Sequence, residues 1–427
     1  MIALLLVVSF IVLLLLGVPV ALAMGLSSLF VILAMDLQPV IIPQMISVGV
    51  QSFPLMAVPF FIFAGNLMNN VGVTRRIFDF TLALIGHIRG GLGHVNVVAS
   101  LIFAGISGSA AADAAGLGTI ETRKMIQEGY GKAFSAAISA ASAILGPIIP
   151  PSIIMIIYAV EANVSITKMF LAGLLPGILI ALVLMATIYY LAATGKEVCP
   201  TRPRATRQEV WRATKGGILA VVAPIIILAG LVFGLATPTE TGVLAVVYSL
   251  LVGLIYREVK WKDLPRVIRD SVTSTGQVMF LFASATLFGW VLTASRVPHI
   301  VSEYLIGLSL DPWVLLLILN VFFLILGCFI EATAALIITL PVIMPIIHQA
   351  GIDPIHFGVI VCFNLMIGLL TPPMGMGLFI MSSIVKTPVE EVLKSSIPFI
   401  IVLIAALLVV TYVPGLSLWL PGLLGAQ

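Results

Sequence analysis

The chain has 427 residues, of which 61% are hydrophobic and only 9% are charged, and its formal net charge is +3. A soluble domain carries about 25% charged residues, so this composition excludes an ordinary soluble enzyme. Apolar runs long enough to cross a bilayer recur along the whole chain. We therefore predict an all-α polytopic membrane protein.

Lysine and arginine are concentrated in a few segments of the chain. Cytoplasmic loops carry an excess of these residues, so such segments are predicted to face the cytoplasm. Both termini are then predicted to lie on the outer side of the membrane. Of the 21 basic residues, 19 fall in five clusters, at 75–89, 123–132, 196–215, 257–269 and 386–394.

Two apolar segments, 93–122 and 313–346, each lie between loops that are assigned to the same side of the membrane. Their arms, of about 14–17 residues, would be about 21–26 Å long, which is shorter than the hydrocarbon core of about 30 Å. We predict that both are re-entrant helical hairpins, tolerated where protein or a wet cavity surrounds them. The other apolar segments are predicted spans, at 2–17, 18–36, 54–70, 133–160, 168–193, 216–236, 240–256, 270–294, 355–385 and 396–414.

The two halves match at a constant offset of 222 residues, which pairs Pro150 with Pro372 and Gly146 with Gly368. Because each half holds five predicted spans, the second copy is predicted to be inverted relative to the first. Inverted repeats with discontinuous helices are typical of secondary transporters. The predicted units are residues 1–195, the cytoplasmic basic linker 196–215, and residues 216–427.

Within each repeat, the early spans are predicted to form a scaffold. The hairpin and the broken helix that follows it are predicted to form a mobile core. Sliding of the core across the membrane would make the protein an elevator-type transporter. The scaffold is predicted at 2–70 and 216–294, and the core at 93–122, 133–160, 313–346 and 355–385.

The predicted breaks read LGPIIPPSI at 145–153 and IGLLTPPMG at 367–375. Proline inside a helix costs about 3 kcal/mol because it removes a backbone hydrogen bond and clashes with the preceding turn. The freed carbonyls and amides could coordinate a cation or orient an anion without placing a full charge in lipid. Proline kinks that only bend a helix are the alternative. The break residues singled out are Gly146, Pro147, Ile148, Pro150, Pro151, Ser152, Gly368, Thr371, Pro372 and Pro373.

The hairpin tips carry the other candidate site residues. In GISGSAAADAAGLG at 105–118, Ser107, Gly108 and Ser109 offer oxygen ligands suited to a hard cation such as Na⁺. A small-residue packing face is the alternative for this segment. In GCFIEATAALIITLP at 327–341, Thr333 is a further candidate oxygen ligand, beside Ala332 at the tip.

Two carboxylates, Asp113 and Glu331, lie inside these apolar hairpins. Intramembrane carboxylates are costly and are treated as candidate functional groups, although each could instead serve only to fix its tip. Helix N-termini at the tips favour anionic substrates.

Thr239, in ATPTETG at 236–242, is predicted to cap a helix. Asn66, Asn96 and Asn364 are predicted to make interhelical hydrogen bonds.

Several motifs together resemble the large membrane subunit of tripartite ATP-independent periplasmic (TRAP) transporters, the DctM-like family of the ion-transporter superfamily. They are GHIRGGLGHVNVVASLIFAGISGSAAADAAGLG, GPIIPPSI, ATPTETG and IDPIHFGVIVCFNLMIGLLTPPMG. The resemblance covers almost the whole chain, and GTIETRKM at 118–125 departs from it. The resemblance implies two sodium sites. The first comprises Ser107, Ser109 and the backbone of 146–148. The second comprises Gly327, Thr333, Gly368 and Thr371.

The resemblance also implies Na⁺-driven uptake by an elevator-type permease, with a separate small four-helix membrane subunit and a periplasmic substrate-binding protein. Dicarboxylates, sialic acid, other sugar acids and 2-oxo acids all stay open as substrates. A standalone Na⁺/dicarboxylate symporter and an ion channel are the alternatives. No catalytic constellation, cofactor motif or nucleic-acid motif occurs in the sequence. Besides the partner proteins and the substrate, we expect Na⁺ as the coupling ion and membrane lipid around the chain.

Overall fold

The structure is a computed structural model that describes residues 2–297, 311–373 and 375–424, and these residues form helices joined by short turns, with no strand among them. The all-α prediction is therefore confirmed. The helices of the first half are Ile2–Leu15, Val20–Ala34, Ile41–Val50, Ala57–Asn70, Val73–Ile85, Gly91–Ser107, Ala110–Ala115, Leu117–Gln127, Lys132–Ser142, Ile153–Glu161 and Ile166–Ala193.

Seven helices of the described part are long and apolar enough to cross a membrane, and a pair bent by 60° at 51–52 would add an eighth span. Several shorter apolar helices belong to the hairpins and the broken segments. The polytopic character of the chain is thus confirmed. The helices of the second half are Arg207–Val232, Pro238–Tyr256, Leu264–Ala294, Pro312–Phe329, Ala332–Gln349, Pro354–Gly368, Met376–Val385, Val389–Tyr412 and Gly415–Leu424.

Among the differences from the sequence prediction are one additional helix and one earlier helix start. Helix Ile41–Val50 occupies what the sequence predicts to be an outer loop. Helix Arg207–Val232 begins inside the predicted linker 196–215. The second difference has a local cause, because the Thr206 hydroxyl accepts from Glu209 N while a Glu209 oxygen accepts from Thr206 N at 2.7 Å, a capping box that starts the helix there.

The helices predicted as scaffold pack against one another across the two halves. Leu264–Ala294 contacts Val20–Ala34 and Ile41–Val50, and Pro238–Tyr256 contacts Ala57–Asn70. At the start of Pro238–Tyr256, the helix cap is Thr237 rather than the predicted Thr239. The Thr239 hydroxyl instead donates to Phe53 O at 3.3 Å, so it connects two scaffold segments.

The hairpins extend over 91–127 and 312–349, a few residues beyond each predicted end. The second hairpin has two arms of 18 residues each, longer than predicted and about 27 Å at 1.5 Å per residue. Each hairpin packs beside the broken helix of its own half, which runs over 132–161 in the first half and 354–385 in the second. Hairpins and broken helices therefore form one packed group, as the predicted core requires.

Buried asparagines attach both hairpins to the broken helices. Asn96 donates to Ser139 Oγ at 2.5 Å and accepts from Ser142 Oγ at 2.6 Å. In the second half, Asn364 donates to Asn320 Oδ1 at 2.8 Å. Ser142 and Asn364 are separated by 222 residues, so both halves place the broken-helix partner of this attachment at the same repeat position. Asn96 and Asn364 make the predicted interhelical bonds, and Asn66 does so too, to Ser271 Oγ at 2.8 Å.

The inverted arrangement stays a prediction with a direct test. Gln127 and Gln349 are repeat-related and both are exposed, at the ends of the two hairpins. In right-side-out vesicles, a membrane-impermeant maleimide is expected to label Gln349→Cys and to leave Gln127→Cys unlabelled until the membrane is permeabilised. Labelling of both variants from one side would contradict the inversion.

The native cysteines leave little background in that measurement. Cys328 and Cys362 are buried, and burial together with the nearby Glu197 carboxylate raises the pKa of Cys199 to about 11. Because the thiolate is the reactive form, Cys199 reacts slowly near neutral pH. Unmodified protein labelled in parallel measures whatever background is left.

Candidate functional site

The first hairpin tip is a turn that only a glycine accommodates readily. Helix Gly91–Ser107 ends at Gly108, whose φ of 60° lies in the left-handed region. Ser109 is extended, and its side chain accepts from Ala112 N at the start of the next helix. A Cβ on Gly108 would lie 2.6 Å from Pro151 O, so the tip backbone lies directly against the first break.

The first break is buried throughout. After the 3-10 turn at Ala143–Leu145, regular helix resumes only at Ile153, and the peptide bond between Pro150 and Pro151 is cis. The Ser152 hydroxyl donates to Pro147 O and accepts from Met155 N, which satisfies two of the groups freed by the break. A Cβ on Gly146 would be 3.1 Å from the backbone of Ser109.

The structure therefore brings together the residues predicted for the first cation site, Ser107, Gly108, Ser109 and the 146–148 backbone. Ser107 is 3% exposed, and its hydroxyl has no hydrogen-bond partner in the described structure. A buried hydroxyl without a partner costs free energy that a bound cation would recover. Hydroxyl and carbonyl oxygens are the donors that a hard cation prefers, so these residues fit Na⁺.

The second tip contacts its own break through two glycines. A Cβ on Gly368 would lie 2.5 Å from the carbonyl of Gly327, so the two backbones touch. Thr371 begins the break, and its hydroxyl donates to Ile367 O at 3.0 Å. Pro372 and Pro373, joined by a cis peptide bond, are exposed, whereas Pro150 and Pro151 are buried. The second site is thus the more open of the two.

Glu331 caps the second arm of this hairpin. One of its oxygens accepts from Ala334 N at 3.1 Å and the other from the Thr333 hydroxyl at 2.9 Å. The tip-fixing alternative for this carboxylate is therefore what the geometry shows. At both tips a side chain thus caps the helix N-terminus, Ser109 in the first hairpin and Glu331 in the second, and an anion site there stays a prediction.

Both tips line one cavity of about 400 Å³. Ser107, Ser109 and Pro147 lie on the side of the first repeat, and Glu331, Ala332 and Thr333 on the side of the second. The remaining wall comes from scaffold helices and from apolar residues of the two broken helices. The scaffold residues with polar side chains are Asn66, Ser274 and Gln277.

Ser274 and Gln277 are site residues that the sequence analysis does not identify. They are three residues apart on helix Leu264–Ala294, which places them on one face. Ser271, which accepts from Asn66, precedes Ser274 by the same spacing. A run of polar residues at this spacing, SVTSTGQ at 271–277 in an otherwise apolar helix, is the signal that could have found them.

Asp113 does not line the cavity in the described structure. It is 1% exposed, as is Glu121 on the following helix, and neither carboxyl group has a hydrogen-bond partner there. Buried carboxyl groups without partners are costly, so these two residues mark a polar position inside the first hairpin. Glu121 lies in GTIETRKM, the stretch that departs from the family pattern, and its burial is not foreseen from the sequence.

Comparison with known proteins identifies the family of this fold and site. Residues 7–416 match the family described as tripartite ATP-independent periplasmic transporter, DctM component. The chain belongs to the DctM family of TRAP transporter large permeases. The members of this family are transport proteins, not enzymes.

Two curated relatives share 40% identity with this chain, each over 376 residues that cover 88% of both sequences. They are the sialic acid TRAP transporter large permease protein SiaM of Vibrio cholerae and the C4-dicarboxylate TRAP transporter large permease protein DctM of Pseudomonas aeruginosa. Among solved structures, the YdaH transporter of Alcanivorax borkumensis is similar, with a TM-score of 0.62. That likeness covers 88% of this chain and 87% of the other at 15% identity, so it concerns the fold alone.

Proposed function

We propose that this TRAP large permease is a Na⁺-coupled importer of a small organic anion in a bacterial or archaeal inner membrane. The observation that carries the proposal is the shared cavity of about 400 Å³, where both hairpin tips meet scaffold residues. Because each tip also contacts a broken helix, a cation bound at a tip could order the wall that faces the substrate. Ion binding and substrate binding would then be coupled.

The ion sites are proposed at the two contacts between a tip and a break. The first uses Ser107, Ser109 and the backbone of 146–148, and the second uses Gly327, Gly368, Thr371 and, from the tip, Thr333. Support comes from the unpartnered Ser107 hydroxyl and from the close contact of Gly327 with Gly368. The second contact offers mainly backbone carbonyls, which coordinate a cation without adding charge.

The substrate is proposed to be a sugar acid such as sialic acid, or a C4-dicarboxylate, the classes named for the two relatives. The cavity volume falls within the range of about 300–1,000 Å³ that small-molecule sites occupy. The described lining offers hydroxyl and amide groups, from Ser274, Gln277 and Asn66, together with one acidic side chain, Glu331. Neutral donors of this kind suit a substrate with several hydroxyl or carboxylate oxygens.

Two protein partners are proposed, a small four-helix membrane subunit and a periplasmic substrate-binding protein. The word tripartite in the family description and the words large permease in the relatives' names support them. The core is proposed to slide against the scaffold as an elevator, with both termini on the periplasmic side. The packing of both hairpins against the broken helices, as one group that borders the scaffold, supports such a movement.

The ion sites are tested by uptake into proteoliposomes that contain the permease with its two partner proteins. Ser107→Ala and Thr371→Ala are each expected to raise the Na⁺ concentration for half-maximal uptake about tenfold, because each removes a charge-assisted oxygen contact. The measurement is initial uptake of labelled sialic acid or succinate against Na⁺ concentration. Uptake without the binding protein would instead favour a standalone symporter, and uncoupled currents would favour a channel.

Thr339→Ala and Ser135→Ala are matched controls. The Thr339 hydroxyl donates to Ala335 O at 2.7 Å, the same type of bond that Thr371 makes to Ile367 O. Ser135 is buried and donates to Gly131 O at 2.8 Å. Neither control residue lies at a tip or a break, so both variants are expected to keep the wild-type Na⁺ response. An unchanged response in the Ser107 and Thr371 variants would refute the ion-site assignment.

A further inference from the structure

A second cavity, of about 300 Å³, lies far from the transport cavity in the fold, at the predicted cytoplasmic surface. It forms where helix Val73–Ile85, the linker before residue 207 and the start of helix Arg207–Val232 meet. The lining residues that matter here are Asp79, Gly86, Arg202, Arg204, Glu209 and Ala213. No step of the proposed transport cycle uses them.

Arg202 is incompletely paired in this cavity. Its Nη2 lies 3.8 Å from a Glu128 oxygen that Lys124 already contacts at 3.0 Å. Its Nη1 is buried and has no hydrogen-bond partner among the residues that the structure describes. The side chain of Arg202 is 34% exposed as a whole, but its Nη1 is enclosed, and an enclosed donor of a charged group costs more to leave unsatisfied than a neutral donor. An acceptor is therefore expected at this position.

The acidic groups of the lining do not supply that acceptor. The Glu209 oxygen Oε2 accepts from both Thr206 N and the Thr206 hydroxyl, at 2.7 and 2.9 Å. Asp79 lies 3.9 Å from Arg75 on its own helix. Arg204, exposed at the rim, adds a second guanidinium to the wall. Two guanidinium groups with free donors suit the oxygens of a phosphate, which Arg binds in a bidentate manner.

Exposed aromatic residues on the helices next to this region are typical of the membrane interface. Trp211 is 71% exposed and lies between the lining residues Glu209 and Ala213 in the sequence. Tyr190 is 56% exposed, and Lys196 lies 5.4 Å above its ring. Trp and Tyr collect at the headgroup level of a bilayer, with basic side chains reaching the aqueous side.

We infer that this cavity is a phosphate-group site that holds the headgroup of a cytoplasmic-leaflet phospholipid through Arg202 and Arg204. The bound phosphate supplies the acceptor that Arg202 Nη1 lacks. The site also touches the transport core, because Arg202 reaches Glu128 at the end of the first hairpin. The headgroup would therefore connect the linker, the amphipathic helix Val73–Ile85 and the hairpin.

Native mass spectrometry of the full-length permease with added phosphatidylethanolamine or phosphatidylglycerol tests this site. Arg202→Gln is expected to weaken retention of one phospholipid at least about tenfold, the effect of losing charge-assisted hydrogen bonds. Arg202→Lys keeps the charge but not the planar fork, and we expect an intermediate loss. Arg212→Gln removes an exposed arginine of helix Arg207–Val232 that does not line the cavity, so wild-type retention is expected.

Thermal unfolding in detergent identifies the source of the phosphate. Added phospholipid is expected to raise the melting temperature of the wild-type protein and of Arg212→Gln, but not that of Arg202→Gln. If millimolar inorganic phosphate gives the same arginine-dependent rise and the phospholipids give none, the lipid assignment is overturned. Equal lipid retention by Arg202→Gln and Arg212→Gln in folded protein would overturn the site itself.

Discussion

Replacing Gly368 by alanine is expected to abolish Na⁺-dependent uptake and to lower the melting temperature of the purified permease. The added Cβ would lie 2.5 Å from the Gly327 carbonyl, a distance that forces backbone atoms rather than a flexible side chain to move. Overpacking of this kind costs about 1–3 kcal/mol. The same displacement separates the second hairpin tip from its broken helix, where the second ion site is proposed.

Gly216→Ala is the matched control for this substitution. Gly216 lies inside helix Arg207–Val232, and a Cβ there would meet no atom within 4 Å. Alanine in an open helix position stabilises the fold by roughly 0.5–1 kcal/mol relative to glycine. Normal uptake and melting temperature in Gly368→Ala would show that the two backbones are not in contact in the working protein.

Replacing Asn364 by leucine is the second substitution from which a large effect is expected. Asn364 is fully buried, and its amide donates to Asn320 O at 2.9 Å and to Asn320 Oδ1 at 2.8 Å. Leucine has a similar volume but no donor, so Asn320 Oδ1 loses this partner inside the protein. An unsatisfied buried acceptor costs about 1–3 kcal/mol.

We expect Asn364→Leu to lower both the melting temperature and the uptake rate, because the second hairpin is no longer held to its broken helix. Asn70→Leu is the control, since the Asn70 side chain is exposed and its single bond, to Asn66 O, stays within one helix. Equal melting temperatures for the two variants would contradict a role for the asparagine contact in holding the core together.

The parts of the fold that the sequence predicts well are those with a strong local signal. Proline pairs at 150–151 and 372–373 locate both breaks, and Gly108 locates the first tip. These residues act through their own backbone, so their effect can be read without knowledge of tertiary contacts. The offset of 222 residues then relates the two halves.

Features that depend on tertiary packing are missed. Helix Ile41–Val50 has no distinctive cap and is too short to read as a span. Glu121 lies among charged residues in the sequence, and only the packing of the first hairpin buries it. The capping of the second tip by Glu331 likewise depends on the turn geometry at 330–331. Residue type alone does not reveal such environments.

The contact between Gly327 and Gly368 has a consequence for how this protein family diversifies. Main-chain atoms form this contact on both sides, so no side-chain substitution can change the distance between the two backbones in small steps. Ser274 and Gln277, which line the cavity from a different helix, do carry side chains that substitution can vary. Under the proposed function, substitutions on that helix would change which substrate is carried and leave the proposed ion site at the glycine contact as it is.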